Sequence, residues 1–333
     1  MQEKEIYQAL TEGVGAPASK LLPGIWKMLV TPEEGKMLLE LPASAEELAE
    51  KFSIGLEEMK KQVEEWVVKG VVIPFGKEGI EKYGLCRGAV NFFESASHVA
   101  YEMVGEDLLT LWGEWLQTEW LDDLRNAQEP VCRVFPFNEA IKDTSSILPQ
   151  EDVNARIDQA WKIAAVECPC RLTLKRCDHT VECCLLFDRG AELALRRGSG
   201  KELTKEQTKD LIRSCVEEGL VPQGGNRIKL TNLCLCCMDC CLIFQPQIEL
   251  GLNVAVPSRY LSVVDVEQCD GCQTCVEVCP FEAVEMAKMP GSKKLKARID
   301  ADKCYGCGVC VPNCPEEALD LKAVRPAEHL PAA

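Results

Sequence analysis

The chain has 333 residues, 47% of them hydrophobic and 27% charged, which is long enough for two or three separate cores rather than one. Its 53 acidic against 37 basic residues leave a net charge of −16, which argues against nucleic acid as a partner, because that binding depends on Lys and Arg neutralising phosphates. Most of the 21 cysteines stand two or three residues apart, a spacing poor for disulfide geometry and suited to metal ligation.

The opening Met1-Gln2-Glu3-Lys4-Glu5-Ile6 lacks the basic stretch and apolar run of a signal peptide. No stretch reaches the roughly 18 to 20 apolar residues of a membrane helix, so a cytoplasmic protein with no membrane span is expected. From about Thr31 to Leu85 the pattern predicts three helices and a hairpin. Pro32 starts the first helix, with Met37, Leu38 and Leu39; Ser44 and Glu47 form a capping box for the second, with Leu48 and Phe52. Met59, Val63, Trp66 and Val67 line the third, which stops at Gly70, and Val71-Val72-Ile73-Pro74-Phe75 with the segment near Tyr83 supplies the hairpin. This order resembles a winged helix-turn-helix. The recognition-helix position, Leu56 to Trp66, carries four acids against two lysines, a face that repels phosphates, so docking to another subunit is its expected use.

Leu108 to Leu124 brings Trp112, Trp115 and Trp120 at near-helical spacing, which reads as core, with a partner-facing anchor as the alternative. Cys86 and Cys132 have no neighbouring ligands and read as ordinary thiols. Of His98, His179 and His329, only His179, between Cys177 and Cys183, is a ligand candidate. Gly13-Val14-Gly15 has no strand leading into it, and Gly198-Ser199-Gly200-Lys201 is followed by Glu202 where a phosphate loop needs Ser or Thr, so no nucleotide or flavin site is expected.

The middle of the chain holds ten clustered cysteines: Cys168, Cys170, Cys177, Cys183, Cys184, Cys234, Cys236, Cys237, Cys240 and Cys241. Small buried hydrophobes explain two or three of them, but hardly adjacent pairs. A helix from Asp152, with Ile157, Ala160, Trp161 and Ala164 on one side, is expected to deliver Cys168 and Cys170, with Arg171 beside their thiolates or in a surface ion pair. Thr204 and Gln207 cap a helix with Leu211, Ile212, Cys215 and Val216 inside and Gly219 at its end, which makes Cys215 core. Gly224-Gly225-Asn226 is expected to turn the chain into a strand over Arg227 to Thr231 that presents Cys234 onward. CPCR, the Cys177 to Phe187 stretch and the Cys234 to Cys241 knot together resemble uncharacterised 4Fe-4S dicluster-domain proteins of anaerobic bacteria. One or two further clusters are expected here, with Cys170, Cys177, Cys184, Cys236, Cys237 and Cys240 the leading ligands; a non-cubane cluster and zinc are the alternatives.

Near the C-terminus Cys269, Cys272, Cys275 and Cys279-Pro280 fit C-x₂-C-x₂-C-x₃-C-P, and Cys304, Cys307, Cys310 and Cys314-Pro315 repeat it 35 residues on. Asp265 and Asp300 precede the two runs, and Ala283-Val284 and Ala318-Leu319 follow them, at matching offsets. Gly271, Gly306 and Gly308 permit the tight turns that let three thiolates wrap one face of a cube. From about Ser258 to Lys322 the chain resembles bacterial dicluster ferredoxins. That resemblance implies two [4Fe-4S] clusters with the fourth ligand exchanged: Cys269, Cys272, Cys275 and Cys314 on one, and Cys304, Cys307, Cys310 and Cys279 on the other. Two structural zinc sites fit this four-cysteine run poorly.

The expected fold class is α+β in several domains: a winged-helix-like docking domain over 1–88, a helical connector over 89–150, a mixed cysteine-rich Fe–S domain over 151–256, a two-cluster ferredoxin module over 257–323 and a flexible tail over 324–333. The expected function is one-electron transfer through these clusters to a larger oxidoreductase, whose subunits are the redox partners. The alternatives are a redox-sensing regulator acting through the winged helix and a reductase whose active site is the central cluster.

Overall fold

The computed structural model describes residues 1–77 and 80–331. They fall into two compact units, the first made of Met1–Asp123 with Leu172–Leu174 and Leu195–Ser199, and the second of the remainder. The division between the units, after Asp123, falls within the connector expected over 89–150.

The first unit carries α1 (Glu3–Gly13), α2 (Leu22–Leu29), α3 (Pro32–Leu38), α4 (Ala45–Phe52), α5 (Leu56–Val68), β1 (Val72–Lys77), β2 (Ile80–Leu85), α6 (Ala89–Ala96), α7 (Val99–Val104), α8 (Asp107–Gln117) and α9 (Glu119–Arg125). Ser44 and Glu47 form the expected capping box on α4, and Thr31 with Glu34 forms a second one on α3. Met59, Val63, Trp66 and Val67 of α5 are all buried. Strands β1 and β2 pair antiparallel, Val72 opposite Leu85, and Ala43 makes an isolated bridge to Tyr83. Trp112 and Trp115 are core, as expected, and Trp120 stacks on Trp115 at 5.9 Å.

The second unit carries β3 (Cys132–Val134), α10 (Val153–Gln159), β4 (Ile163–Glu167), α11 (Pro169–Leu174), β5 (Glu182–Phe187), α12 (Arg189–Arg197), β6 (Gly200–Glu202), α13 (Lys205–Glu217), β7 (Val221–Gly225), β8 (Asn232–Cys236), α14 (Phe244–Leu250) and β9 (Ala255–Val256), except that the last three residues of α11 and of α12 count with the first unit. Its seven-stranded sheet runs β6-β4-β5-β8-β7-β3-β9, antiparallel except for the β3–β9 pair. The helix expected from Asp152 stops at Gln159, because Ile163 to Val166 lie in β4 and are buried between two partner strands. Burying side chains such as Ile163 and Val166 is worth about 1.5–3 kcal/mol each, against helix propensities of a few tenths, so packing decides the element. Trp161, expected with Ile157, Ala160 and Ala164 on one side of that helix, lies beyond its end and is 57% exposed. The strand expected over Arg227 to Thr231 begins instead at Asn232. Register pairs Val221–Gln223 with Cys234–Cys236, which leaves 226–231 as the connecting loop with Ile228 exposed. Helix α13 has the expected Thr204–Gln207 capping box, and Cys215 is buried on its inner face.

The chain continues through β10 (Tyr260–Val264), α15 (Thr274–Glu277), β11 (Val284–Lys288), β12 (Leu295–Ile299) and β13 (Leu319–Ala323). Strand β10 pairs with β13 and β11 with β12, and the 35-residue repeat carries β10 onto β12 and β11 onto β13, so each two-stranded pair takes one strand from each half. The duplication is cross-wired: the Asp265 amide donates to Ala318 O and the Asp300 amide to Ala283 O, both at 2.8 Å. Of the expected tail, Val324 and Arg325 donate their amides to Arg259 O and Leu330 is buried, while residues 332 and 333 lie outside the described residues.

Candidate metal centres

The eight ferredoxin-type cysteines divide between two cavities. Cys269, Cys272, Cys275 and Cys314 line one of about 340 Å³, mouth included, with Val264, Met286 and Leu319 as its apolar wall. Cys279, Cys304, Cys307 and Cys310 line another of about 330 Å³ with Ser262, Pro280 and Phe281. Each cavity thus takes three thiols from one run and the last from the other run. The turns that hold them need glycine. A Cβ on Gly306, at φ +63°, would stand 2.1 Å from Tyr260 O, and one on Gly271, at φ +84°, 2.4 Å from Leu295 O. Polar groups aim at the sulfurs: the Ala283 amide donates to Cys279 Sγ at 3.3 Å, and the Ser262 hydroxyl lies 3.3 Å from Cys310 Sγ. A cradle of four thiols, apolar wall and N–H donors fits a [4Fe-4S] cube.

The central cysteines separate into two groups. Cys177 Sγ lies 3.7 Å from both Cys237 Sγ and Cys240 Sγ, and all three sulfurs are within 4.8 Å of one another. The loop after α11 and the turn after β8 bring them together. The other seven, Cys168, Cys170, Cys183, Cys184, Cys234, Cys236 and Cys241, lie near enough to shift one another's ionisation: their thiol neighbours hold Cys168 and Cys234 low and push Cys170, Cys183, Cys184 and Cys236 up. The six leading ligand candidates are therefore divided, with Cys177, Cys237 and Cys240 in one group and Cys170, Cys184 and Cys236 in the other.

Arg171 is 3% exposed, so it is no surface ion pair. Its Nη1 lies 2.6 Å from Cys183 Sγ and donates to Thr180 O at 2.7 Å, while Nη2 donates to Leu235 O at 2.7 Å. Burial opposes its charge, but the sulfurs of Cys183, Cys168 and Cys237 more than offset that and raise its pKa. A hydrogen bond from Cys240, aided by Arg171, holds the Cys237 thiol down at about 5 against burial. His179, the histidine ligand candidate, stands instead 3.7 Å from Glu218 Oε2. Burial pushes the Cys215 thiol up to about 12 and the Cys86 thiol up to about 11, in keeping with core positions.

Four neighbours of these thiols were not singled out in the sequence: Gln223, Phe244, Phe281 and Tyr305. Gln223, 3% exposed, directs Nε2 at Cys236 Sγ (3.6 Å) and Cys241 Sγ (3.7 Å). An amide within the buried strand β7 was the available clue. Phe281 and Tyr305 stack at 4.3 Å beside the second cavity, and Phe244, three residues after Cys241, meets Phe281 edge-on at 5.6 Å. This aromatic column runs from Phe244, on the segment that follows Cys241, to Phe281 and Tyr305 in the lining of the second cavity, and Gln247 bonds the Tyr305 hydroxyl.

Residues 268–318 match the family model described as a 4Fe-4S dicluster domain, a span that holds all eight cavity-lining cysteines. No curated protein matches the chain. A 4Fe-4S dicluster domain in a chain with 21 cysteines marks an iron–sulfur protein with an electron-transfer role. Among the described residues no helix is long and apolar enough to cross a membrane.

Proposed function

We propose that this chain is an electron-transfer subunit that passes single electrons between a redox partner and a larger cytosolic oxidoreductase of an anaerobe. Cys269, Cys272, Cys275 and Cys314 would hold one [4Fe-4S] cluster, Cys279, Cys304, Cys307 and Cys310 a second, and the seven-thiol group at least one more. The observation that carries the reading is the division of the eight ferredoxin-type thiols between two cavities with the last cysteine of each run exchanged. Bound there, the clusters supply one-electron redox chemistry. The protein's part is to hold, insulate and tune: Met286 and Leu319 exclude water on one side, Ser262 and the Ala283 amide donate to sulfur on the other, and Arg171 offsets thiolate charge in the middle. The Phe244–Phe281–Tyr305 column supports an order in which the central group neighbours the Cys304 site and the Cys269 site lies at the far end. Cys272, at that end, is exposed, which suits exchange with a partner.

The succession α3, α4, α5 and hairpin, with the Ala43–Tyr83 bridge, supports the winged-helix reading of residues 1–88. Glu57 and Glu58 in the first turn of α5 favour docking to protein over DNA.

Iron and sulfide per chain after anaerobic reconstitution test the proposal. About eight irons are required for the ferredoxin pair and about twelve or more with the central cluster. Eight alone would remove the central cluster, and salt-sensitive binding to duplex DNA would favour the regulator instead.

A further inference from the structure

Cys177, Cys237 and Cys240 differ from every other thiol group in the chain by their closeness. Among the described residues they alone form a trio of His, Cys, Asp or Glu ligand atoms within 4.8 Å of one another, and no three of the eight ferredoxin-type thiols approach so near. Spacing reports what a thiol set can hold. Around a four-iron cube each thiolate sits on its own iron, so the sulfurs stand well apart. Around one tetrahedral ion with bonds of about 2.3 Å, the edges of the tetrahedron are about 3.8 Å. The two measured separations are 3.7 Å.

We infer that Cys177, Cys237 and Cys240 bind a single Zn²⁺ ion, separate from the iron–sulfur clusters, with a water in the fourth position. Three further observations support it. Cys237-Met238-Asp239-Cys240 is a C-x₂-C knuckle, the spacing that zinc sites use. The Arg176 amide donates to Cys240 Sγ at 3.4 Å, the kind of N–H to sulfur bond that steadies a metal-bound thiolate. Three thiolates on one divalent cation leave a net charge of −1, and the Arg171 guanidinium next to Cys237 is placed to balance it. The ion enters as those of the three thiols still protonated release their protons to solvent, with no electron transferred. The fourth position falls to solvent because no fourth ligand atom of those types joins the trio among the described residues. Cys177 is only partly buried, which leaves that side reachable.

The full-length protein, purified anaerobically, should contain about one zinc per chain beside its iron. Cys177→Ser and Cys237→Ser should each cut zinc at least fivefold with iron unchanged, and Cys272→Ser in the ferredoxin module should lower iron with zinc unchanged. Co²⁺ exchanged into the native protein should show sulfur-to-cobalt charge transfer and the strong visible bands of a tetrahedral site, a readout that needs no variant. Absence of zinc from the native protein, loss of about four irons in Cys177→Ser, or zinc unaffected by both substitutions would each overturn the assignment. None of these outcomes alters the iron count expected of the ferredoxin pair, so failure here is distinguishable from failure of the electron-transfer reading.

Discussion

Arg171 Nη1 lies 2.6 Å from the sulfur of Cys183, and the same guanidinium is bonded to Thr180 O and Leu235 O. One buried cation therefore ties β5, the loop before it and β8 to a thiol. Arg171→Met removes the charge and leaves the buried Leu235 carbonyl and the half-buried Thr180 carbonyl without this donor, and it is expected to destabilise the fold by about 3–5 kcal/mol. Arg171→Lys keeps the charge but cannot reproduce the planar fork, so it should recover only part of the loss. Anaerobic urea titration of the three proteins measures this, and a midpoint for the Met variant equal to the parent would show that Arg171 is no tie.

The ferredoxin module was legible because its constraints are local. Eight cysteines and two prolines at fixed spacing say which atoms must meet, and the Asp265–Ala318 and Asp300–Ala283 bonds simply obey the repeat. The capping boxes at Ser44 and Thr204 were legible for the same reason. The central region was not, because its pairing is non-local. Ile163 to Val166 satisfy a helical pattern and a buried strand equally well, and only their partners in β5 and β6 decide. The division of ten cysteines into three and seven depends on that sheet, so spacing along the chain could not reveal it.

Gly306 and Gly225 make a matched pair of tests. A methyl on Gly306 meets Tyr260 O at 2.1 Å and Ser258 Oγ at 2.4 Å at a positive φ, whereas one on Gly225 meets nothing within 4 Å. Gly306→Ala should cost about 1–3 kcal/mol and loosen the turn between Cys304 and Cys307. Gly225→Ala should be within about 0.5 kcal/mol of the parent. Thermal midpoints and iron retention under dilute chelator check both, and equal behaviour of the two variants would contradict the close approach at Gly306.

Glu34 gives the first unit a pH signature. Its carboxylate accepts from Thr31 N at 2.7 Å, Gln62 Nε2 at 2.8 Å and Trp66 Nε1 at 3.0 Å. Burial works to raise its pKa, but the bonds from Thr31 and Trp66 outweigh it and hold the group below its ordinary 4.5. A carboxylate so depressed contributes its full stability above the unfolded value and loses it as pH falls through the folded one. Glu34→Gln should therefore cost about 1–2 kcal/mol at pH 7 and show a shallower loss of stability below about pH 4.5. Tryptophan fluorescence during urea unfolding at several pH values reads both, and parallel acid limbs for the two proteins would assign the pH dependence to other carboxylates.

Cys314 follows Cys310 by four residues in sequence yet faces the cavity of Cys269, Cys272 and Cys275. Pairs of substitutions expose that exchange. If Cys314 and Cys272 serve one cluster, each single Ser variant loses about four irons and the double variant loses no more, because the second change acts on a cluster already absent. Cys272→Ser with Cys279→Ser spans both cavities and should lose about eight. Ligation within each run would reverse the pattern: Cys272 with Cys279 would then be the non-additive pair and Cys272 with Cys314 the additive one. Iron per chain and the EPR spectra of the dithionite-reduced variants decide between the two wirings, with the magnetic interaction of neighbouring clusters disappearing once either one is lost.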